Sequence, residues 1–247
     1  MHISKENNQS GVYNANDKNG TAVRLEWQKT TLFAPEFAAA MKEAWPLARE
    51  AYTPVEMQFL RTYPEVIGSE DYFKPFEPLF KNGLDAVDWA QAEETMQALL
   101  QTHFIFDAST WGPEVLAQFA KDVCYVVAVR DSHTNSLLGF ITFLKRANYV
   151  PGDIKVMALA VDPVHQNRGL GKLLISSILK INADITRIFL CTRVTNGAAL
   201  KAYRSWGFVT DEHPVMEHAF NLNHWTFMEY KTKKSDVLQN VAATLVG

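Results

Sequence analysis

The chain has 247 residues, of which 47% are apolar and 21% are charged, as is usual for a globular protein with a buried core. Its formal net charge is −3, so it lacks the global positive charge that attracts nucleic acid or an anionic membrane surface. Its two cysteines, Cys124 and Cys191, lie in apolar strand-like runs, and their spacing predicts neither a disulfide framework nor a metal site.

The N-terminal part is predicted to be mainly helical. Residues 1–19 are polar and rich in Asn, which predicts a flexible tail. They lack the apolar core of a signal peptide, and no segment of the chain reaches roughly 18 apolar residues, so we expect a cytoplasmic protein. Apolar periodicity predicts a strand at 22–28 and helices at 35–51 and 84–103. Residues 53–83 combine aromatic residues and prolines without a sustained period, which predicts short helices and loops.

From residue 122 onward the pattern favours strands. Apolar runs and turn clusters predict strands at 123–130, 137–144, 154–161, 188–194 and 225–230, and helices at 113–121, 170–181 and 198–206. Because no linker or internal repeat interrupts the chain, we expect a single domain over residues 20–235, in which the helical N-terminal part packs on a mixed sheet. Residues 236–247 are expected to form a tail or a short helix.

The segment that is most informative about chemistry joins a predicted strand to a predicted helix. The strand ends at Asp162–Pro163, because proline cannot continue a paired interior strand, and a helical apolar period begins at Leu170. Gly169 and Gly171 lie at the first turn of that helix. Unpaired N–H groups and the helix dipole favour an anion there, and glycine allows a ligand to approach the backbone closely. The segment therefore predicts a pyrophosphate site.

Two basic side chains, Arg168 and Lys172, are expected to add positive charge beside this site. Other phosphate-binding loops fit less well. A Walker A loop would require Gly in place of Gln166 and Ser or Thr in place of Leu173. A dinucleotide-binding loop would require a third glycine in place of Leu174.

Residues 161–171 resemble the acetyl-coenzyme A signature of the GNAT N-acetyltransferase superfamily, Gln/Arg-x-x-Gly-x-Gly/Ala, through Gln166, Gly169 and Gly171. Residues 192–208 resemble the strand, Asn, helix and Tyr-x-x-x-Gly-Phe block of the same family. The resemblance covers residues 121–230. It implies an α+β fold, with a mixed, mostly antiparallel central sheet flanked by helices. Residues 53–105 are then interpreted as a helical insertion or a divergent region.

The resemblance also implies a function and a set of site residues. The function would be transfer of the acetyl group of acetyl-CoA to a primary amine, with acetyl-CoA as co-substrate and no metal. The strand before the signature would pair with the pantetheine arm through Leu159, Ala160 and Val161. The pyrophosphate would lie on the amides of Gln166, Asn167, Arg168, Gly169, Leu170, Gly171 and Lys172. Asn196 would contact the cofactor arm, cap the next helix, or do both, and Tyr203 would donate a proton to the departing thiolate.

The general base stays open at this level. Several family members carry a Glu on the strand before the signature, where this chain has Lys155, and we expect Lys155 to be an exposed strand-edge residue. Asp153, His224 and Glu229 are the other titratable residues considered, and the sequence does not select a base among them. His165, next to the phosphate turn, is expected to face solvent.

The missing Glu favours one alternative function from a different class. The chain could be a non-catalytic acyl-CoA-binding sensor or interaction module with the same fold. The sequence does not specify the amine acceptor, which is a small molecule or a protein. It also leaves the oligomeric state open, including a homodimer.

Overall fold

An eight-stranded sheet forms the centre of the part of the chain that the computed structural model describes, residues 9–32, 34–104, 122–146, 148–212, 223–232 and 244–245. Its strands are β1 (Ser10–Asn16), β2 (Ala22–Thr30), β3 (Val123–Asp131), β4 (Leu137–Lys145), β5 (Asp153–Val161), β6 (Arg187–Arg193), β7 (Val209–Thr210) and β8 (Trp225–Lys231). They lie in the order β1-β2-β3-β4-β5-β6-β8-β7. All neighbours are antiparallel except β5 and β6, so the predicted mixed, mostly antiparallel sheet is confirmed.

Helices pack on both faces of this sheet. Within the described ranges they are α1 (Pro35–Thr62), α2 (Glu77–Phe80), α3 (Trp89–Phe104), α4 (Leu170–Ile181) and α5 (Gly197–Ser205). Short 3-10 turns occupy Pro64–Gly68, Asp71–Phe76, Leu84–Ala86 and Pro163–His165. None of the helices in this part of the chain is long and apolar enough to cross a membrane.

Two apolar cores hold the helices on the sheet. On one face, Leu174 and Ile178 of α4 pack with Val127 and Ile141 of the central strands, and all four are fully buried. On the other face, Phe37 and Met41 of α1 join Val126 and Phe140. Full burial of each such side chain stabilises the fold by about 1.5–3 kcal/mol. The α4 core fixes the helix whose N-terminus carries the predicted phosphate site.

A third core lies within residues 53–104. Phe59, Phe73, Phe76 and Met96 are fully buried there, and Phe59 and Phe73 stack with their ring centroids 5.9 Å apart. These side chains form the interior of residues 53–104, called the helical layer below, which contacts β6 through an ion pair between Glu56 and Arg193. Residues 64–83 form short helices and turns, as the sequence predicts for 53–83, whereas residues 53–62 continue α1.

The N-terminal segment differs from its prediction. The sequence predicts a flexible tail at 1–19, but residues 10–16 form β1 and pair with β2 from Ser10↔Gln28 to Asn16↔Ala22. The polar composition conceals an alternation of side chains, because Tyr13 and Ala15 face the α4 core while the intervening residues face solvent.

Helix α1 is also longer than the predicted 35–51. It continues to Thr62 with Pro46 and Pro54 inside it, although each proline removes a backbone N–H donor. Buried residues such as Met57 and Leu60 hold the second half in place through the third core. The predicted helix at 113–121 and most of the segment 236–247 lie outside the described residues.

One irregularity opens the sheet at β5. Pairing with β4 shifts register so that Thr142 faces Ala158 and Phe143 faces Val156, which leaves Met157 as an extra residue. Among the described residues, β5 pairs with β6 only over residues 153–155, so beyond the bulge this edge of β5 faces no described strand. The two strands therefore diverge and leave a gap in the middle of the sheet.

Candidate functional site

The gap between β5 and β6 is part of an open cleft of about 1850 Å³. Residues from β5, β6, α1, α5, the α4 N-terminus and the helical layer line it. The cleft exceeds the roughly 300–1,000 Å³ of a usual small-molecule pocket. It therefore has room for a long ligand and a second molecule beside it.

One end of the cleft is the loop that precedes α4. The side chain of Asp162 accepts a hydrogen bond from the N–H of Val164 (2.9 Å), and this closes the turn after β5. Asn167 (φ 62°) and Gly169 (φ 81°) then adopt left-handed conformations, which turn the chain into the helix. Gly169 forms the N-cap of α4 without a side-chain cap. The local turn residues thus leave the N-terminus of a buried helix open.

The backbone donors of this loop are mostly unused. Within the described residues, the N–H groups of five consecutive residues donate to no protein acceptor; these are Asn167, Arg168, Gly169, Leu170 and Gly171. The sequence predicts a cradle from Gln166 to Lys172, but the amides at its two ends bond to the carbonyls of Pro163 (3.4 Å) and Gly169 (3.1 Å). The run of unused amides is therefore one residue shorter at each end than the predicted pyrophosphate site. An anion at this place would complete the hydrogen bonding of the helix N-terminus.

The charge beside the loop differs from its prediction. Arg168 forms an ion pair with the buried Asp17, which lies in the turn between β1 and β2. The Nη1 atom of Arg168 also lies 2.8 Å from Nδ1 of His165. His165 is accordingly half-buried against Arg168 and does not simply face solvent, as the sequence predicts. The side chains of Arg168 and Lys172 are absent from the cleft lining.

A different lysine lies on the cleft side. Lys18, also in the β1–β2 turn, donates its backbone N–H to the carbonyl of Arg168 (2.9 Å) and lines the cleft next to Gly169. The sequence gives no signal for this residue, because it lies in a segment whose composition predicts a tail. The hydrogen bond from Lys18 to Arg168 ties the β1–β2 hairpin to residues 162–169, called the phosphate loop below after their predicted role.

The edge of β5 forms the middle of the cleft. Leu159 directs its N–H and C=O into the gap, where both bond to the hydroxyl of Tyr52, at 2.9 Å from the nitrogen and 3.0 Å from the oxygen. Ala160 is buried toward α1, and the carbonyl of Val161 accepts from the side-chain amide of Gln166 (3.3 Å). An unpaired strand edge therefore lies next to the row of free amides.

Helix α5 brings the other two predicted residues to the same cleft. The ring centroid of Tyr203 lies 5.5 Å from that of Trp206 and 5.7 Å from that of Phe208, and Tyr203 lines the cleft. Burial raises the pKa of Tyr203 above its ordinary value, so its hydroxyl stays neutral and can donate a proton. Asn196 caps α5 by accepting from the N–H of Ala199 (3.2 Å) and also lines the cleft. Its predicted capping role is thereby confirmed.

The candidates for a general base are not equivalent. Asp153 and Glu229 both pair with Arg187, at 3.4 and 2.8 Å, and neither lines the cleft. His224 pairs with a glutamate of the helical layer (2.8 Å). Lys155, predicted to be an exposed surface residue, is instead half-buried on the cleft wall, and burial lowers its pKa.

The other end of the cleft belongs to the helical layer. Tyr72 and Glu56 line it there, opposite Arg193 of β6 and Trp225 of β8. Residues 53–104 thus contribute both to the third core and to the wall of the cleft. The arrangement as a whole joins a row of free backbone amides, a strand edge that pairs with side chains and a neutral tyrosine along one continuous cleft.

Comparison with known proteins agrees with this site. Residues 88–208 match the acetyltransferase (GNAT) family, and the match begins inside the region 53–105 that we interpreted as an insertion. The N-alpha-acetyltransferase RimI of Mycobacterium tuberculosis is 29% identical over 122 residues, which are 48% of this chain and 73% of that protein.

Two solved structures are similar to this chain at low sequence identity and with TM-scores below 0.5. The PaiA N-acetyltransferase from Thermoplasma acidophilum, solved in complex with coenzyme A, is 16% identical, with 84% of this chain and 99% of that chain covered and a TM-score of 0.43. The ribosomal-protein-S18-alanine N-acetyltransferase from Escherichia coli is 19% identical, with 51% and 81% covered and a TM-score of 0.34. On the basis of this sequence match, residues 88–208, which include β5, the phosphate loop and α5, belong to the acetyltransferase (GNAT) family.

Proposed function

We propose that this acyltransferase moves the acetyl group of acetyl-CoA directly to a primary amine, and that the cleft between β5 and β6 is where transfer occurs. The observation that carries the proposal is the continuity of the site. Five free amides at the α4 N-terminus lead to the open edge of β5, and Tyr203 lies in the same cleft. A diphosphate, an extended arm with amide groups and a thioester follow each other in the same order in acetyl-CoA.

The binding roles follow from this order. The amides from Asn167 to Gly171 would hold the pyrophosphate with the positive end of the α4 dipole, and Lys18 would add a full charge. The N–H and C=O of Leu159 would pair with the arm as an added strand pairs with a sheet edge. This arrangement would place the thioester near the bulge at Met157, at the centre of the cleft.

The chemical step would be attack of a neutral amine on the thioester carbonyl. A bond forms between nitrogen and carbon, the carbon–sulfur bond breaks, and the thiolate takes the proton of the Tyr203 hydroxyl. A backbone N–H of the β5 edge would stabilise the oxyanion. Transfer through an acetylated Cys191 is disfavoured, because burial raises the pKa of that thiol and leaves little thiolate.

The attacking amine must lose a proton, and we propose Lys155 as the acceptor. It lies on β5 within the cleft, and the burial that lowers its pKa favours its neutral form. Lys155→Met should lower kcat roughly tenfold or more while leaving acetyl-CoA affinity unchanged. An unchanged kcat would remove Lys155 from this role.

The proposal is tested by thiol release from acetyl-CoA in the presence of an amine panel. The panel should include polyamines, amino acids and peptides with free N-termini. The peptides are included because a relative of this chain is an N-alpha-acetyltransferase. Tyr203→Phe should lower kcat on the preferred acceptor by about 10²-fold without weakening acetyl-CoA binding. Tyr125→Phe is the control, because its ring stacks on Phe143 in the α4 core and away from the cleft. Tight binding of acetyl-CoA without transfer to any amine would contradict the proposed activity.

A further inference from the structure

Tyr52 is the side chain that occupies the edge of β5. Its hydroxyl accepts a hydrogen bond from the N–H of Leu159 (2.9 Å) and donates one to the C=O of the same residue (3.0 Å). A peptide group of a neighbouring strand would normally supply both the acceptor and the donor. A single oxygen atom of Tyr52 replaces both partners.

The position of Tyr52 is fixed from the helix side. Its residue lies in the middle of α1, and its ring packs with Phe104 of α3 at 6.5 Å. Burial raises its pKa above the ordinary value of a tyrosine, so the hydroxyl stays neutral and can both donate and accept. Tyr52 and Leu159 both line the cleft.

The N–H of Leu159 has one proton. A carbonyl oxygen that accepts this proton must lie close to the place now filled by the Tyr52 oxygen, because both would be about 2.9 Å from the same nitrogen. The two interactions therefore exclude each other. The same holds for an amide that would donate to the carbonyl of Leu159.

We propose that Tyr52 is a displaceable stand-in for the bound thioester substrate, which must release Leu159 before the substrate can pair with β5. The substrate chemistry that displaces it is a carbonyl oxygen, either of a pantetheine amide or of the acetyl thioester. In the free protein, the hydroxyl keeps the N–H and C=O of the divergent strand hydrogen-bonded inside a largely apolar cleft, where unpaired polar groups would be costly. Tyr52 thereby sets the affinity for the substrate without touching the reacting bond. This inference rests on the proposed function.

The test is the affinity of Tyr52→Phe for acetyl-CoA and for coenzyme A, measured by calorimetry on the full chain. Loss of the two competing hydrogen bonds should lower the Kd for acetyl-CoA by about three- to tenfold. An equal gain for coenzyme A would identify the pantetheine amide as the displacing group. A gain for acetyl-CoA alone would identify the thioester carbonyl.

Tyr72→Phe is the matched control. Tyr72 also lines the cleft and is half-buried, but its ring contacts Phe73 and His103 of the helical layer. Its substitution should leave both Kd values unchanged. A thermal unfolding midpoint measured for each variant accounts for any change in folding.

The outcomes separate this inference from the proposed function. If the wild-type chain and Tyr52→Phe both fail to bind acetyl-CoA, the proposed function is wrong and this inference falls with it. If the wild-type chain binds and Tyr52→Phe binds equally well or more weakly, only the role of Tyr52 is overturned. In that case the hydroxyl would support the strand in the bound state and would not be displaced.

Discussion

Glu56 of α1 and Arg193 of β6 form a buried ion pair that joins the helical layer to the sheet. The Arg193 Nε lies 3.0 and 3.1 Å from the two carboxylate oxygens, and an ion-pair contact of 2.9 Å extends from Nη2. The guanidinium also lies 3.9 Å from the ring centroid of Phe59 and 4.0 Å from that of Trp225. Since both charged residues line the cleft, the same contact that holds the layer in place also shapes the end of the cleft opposite the phosphate loop.

Removing one charge of this pair should be costly. In Glu56→Gln the Arg193 charge remains buried without a counter-ion, and we expect the free energy of unfolding to fall by about 3 kcal/mol. Urea unfolding would measure this change, and the exposed Glu65→Gln should alter it by less than about 0.5 kcal/mol. The double variant Glu56→Leu with Arg193→Met should lose less than Glu56→Gln alone, because it leaves no charge unpaired. A larger loss in the double variant would contradict this interpretation of the pair.

Asp17 predicts a pH dependence of stability. Burial alone would raise its pKa, but hydrogen bonds from Arg168 and from the N–H groups of Thr21 and Asn19 hold the pKa below the ordinary value near 3.8. A carboxylate with a lowered pKa in the folded state stabilises the fold above the pKa of the unfolded chain. This contribution is lost as pH falls through the folded pKa.

Asp17→Asn should therefore destabilise the protein near neutral pH by about 1–3 kcal/mol, through the loss of charge-assisted hydrogen bonds. The difference from wild type should stay constant above about pH 5 and shrink as pH falls below the ordinary Asp pKa. Urea unfolding at a series of pH values would measure it, with the exposed Asp85→Asn as control. A difference that grows toward acidic pH would show that the sign is wrong.

The phosphate loop and most strands could be predicted because their signals are local. Proline at the end of β5, the left-handed Gly169 and the apolar period of α4 all lie within about twenty residues of each other. Burial on both sides likewise makes β3 and β4 nearly continuous apolar runs, which read as strands without knowledge of their partners.

Other parts of the site depend on partners far away in the chain. Tyr52 meets Leu159 across 107 residues, and Arg168 meets Asp17 across 151. No periodicity in either segment specifies these contacts. Strand β1 is held by its pairing with β2. Its own polar sequence does not show this pairing, so the sequence predicts a tail. The sequence therefore predicts the cofactor signature but misses the residues that surround it.

Gly169 offers a test of the loop geometry. Its φ of 81° is unfavourable for any residue with a Cβ, by roughly 1–2 kcal/mol. Gly169→Ala should lower the free energy of unfolding by about this amount and weaken acetyl-CoA binding, because relaxation of the strain would move the free amides. Gly68→Ala is the matched control, since a Cβ at Gly68 would meet no atom within 4 Å. If both variants behaved alike in unfolding and in calorimetry, the left-handed conformation would not be needed for the site.

Lys18 tests whether the N-terminal hairpin belongs to the binding site. It is exposed on the cleft side of the phosphate loop, so its charge should attract the phosphates of acetyl-CoA. Lys18→Gln should raise the Kd for acetyl-CoA by about three- to tenfold at low salt, and the ratio of the two Kd values should approach one near 1 M salt, where charges are screened within about 3 Å. Lys81→Gln, an exposed change in the helical layer, should leave the Kd unchanged at both salt concentrations. A Kd that does not respond to Lys18→Gln at low salt would separate the hairpin from cofactor binding, and its contact with Arg168 would then serve only to hold the loop in place.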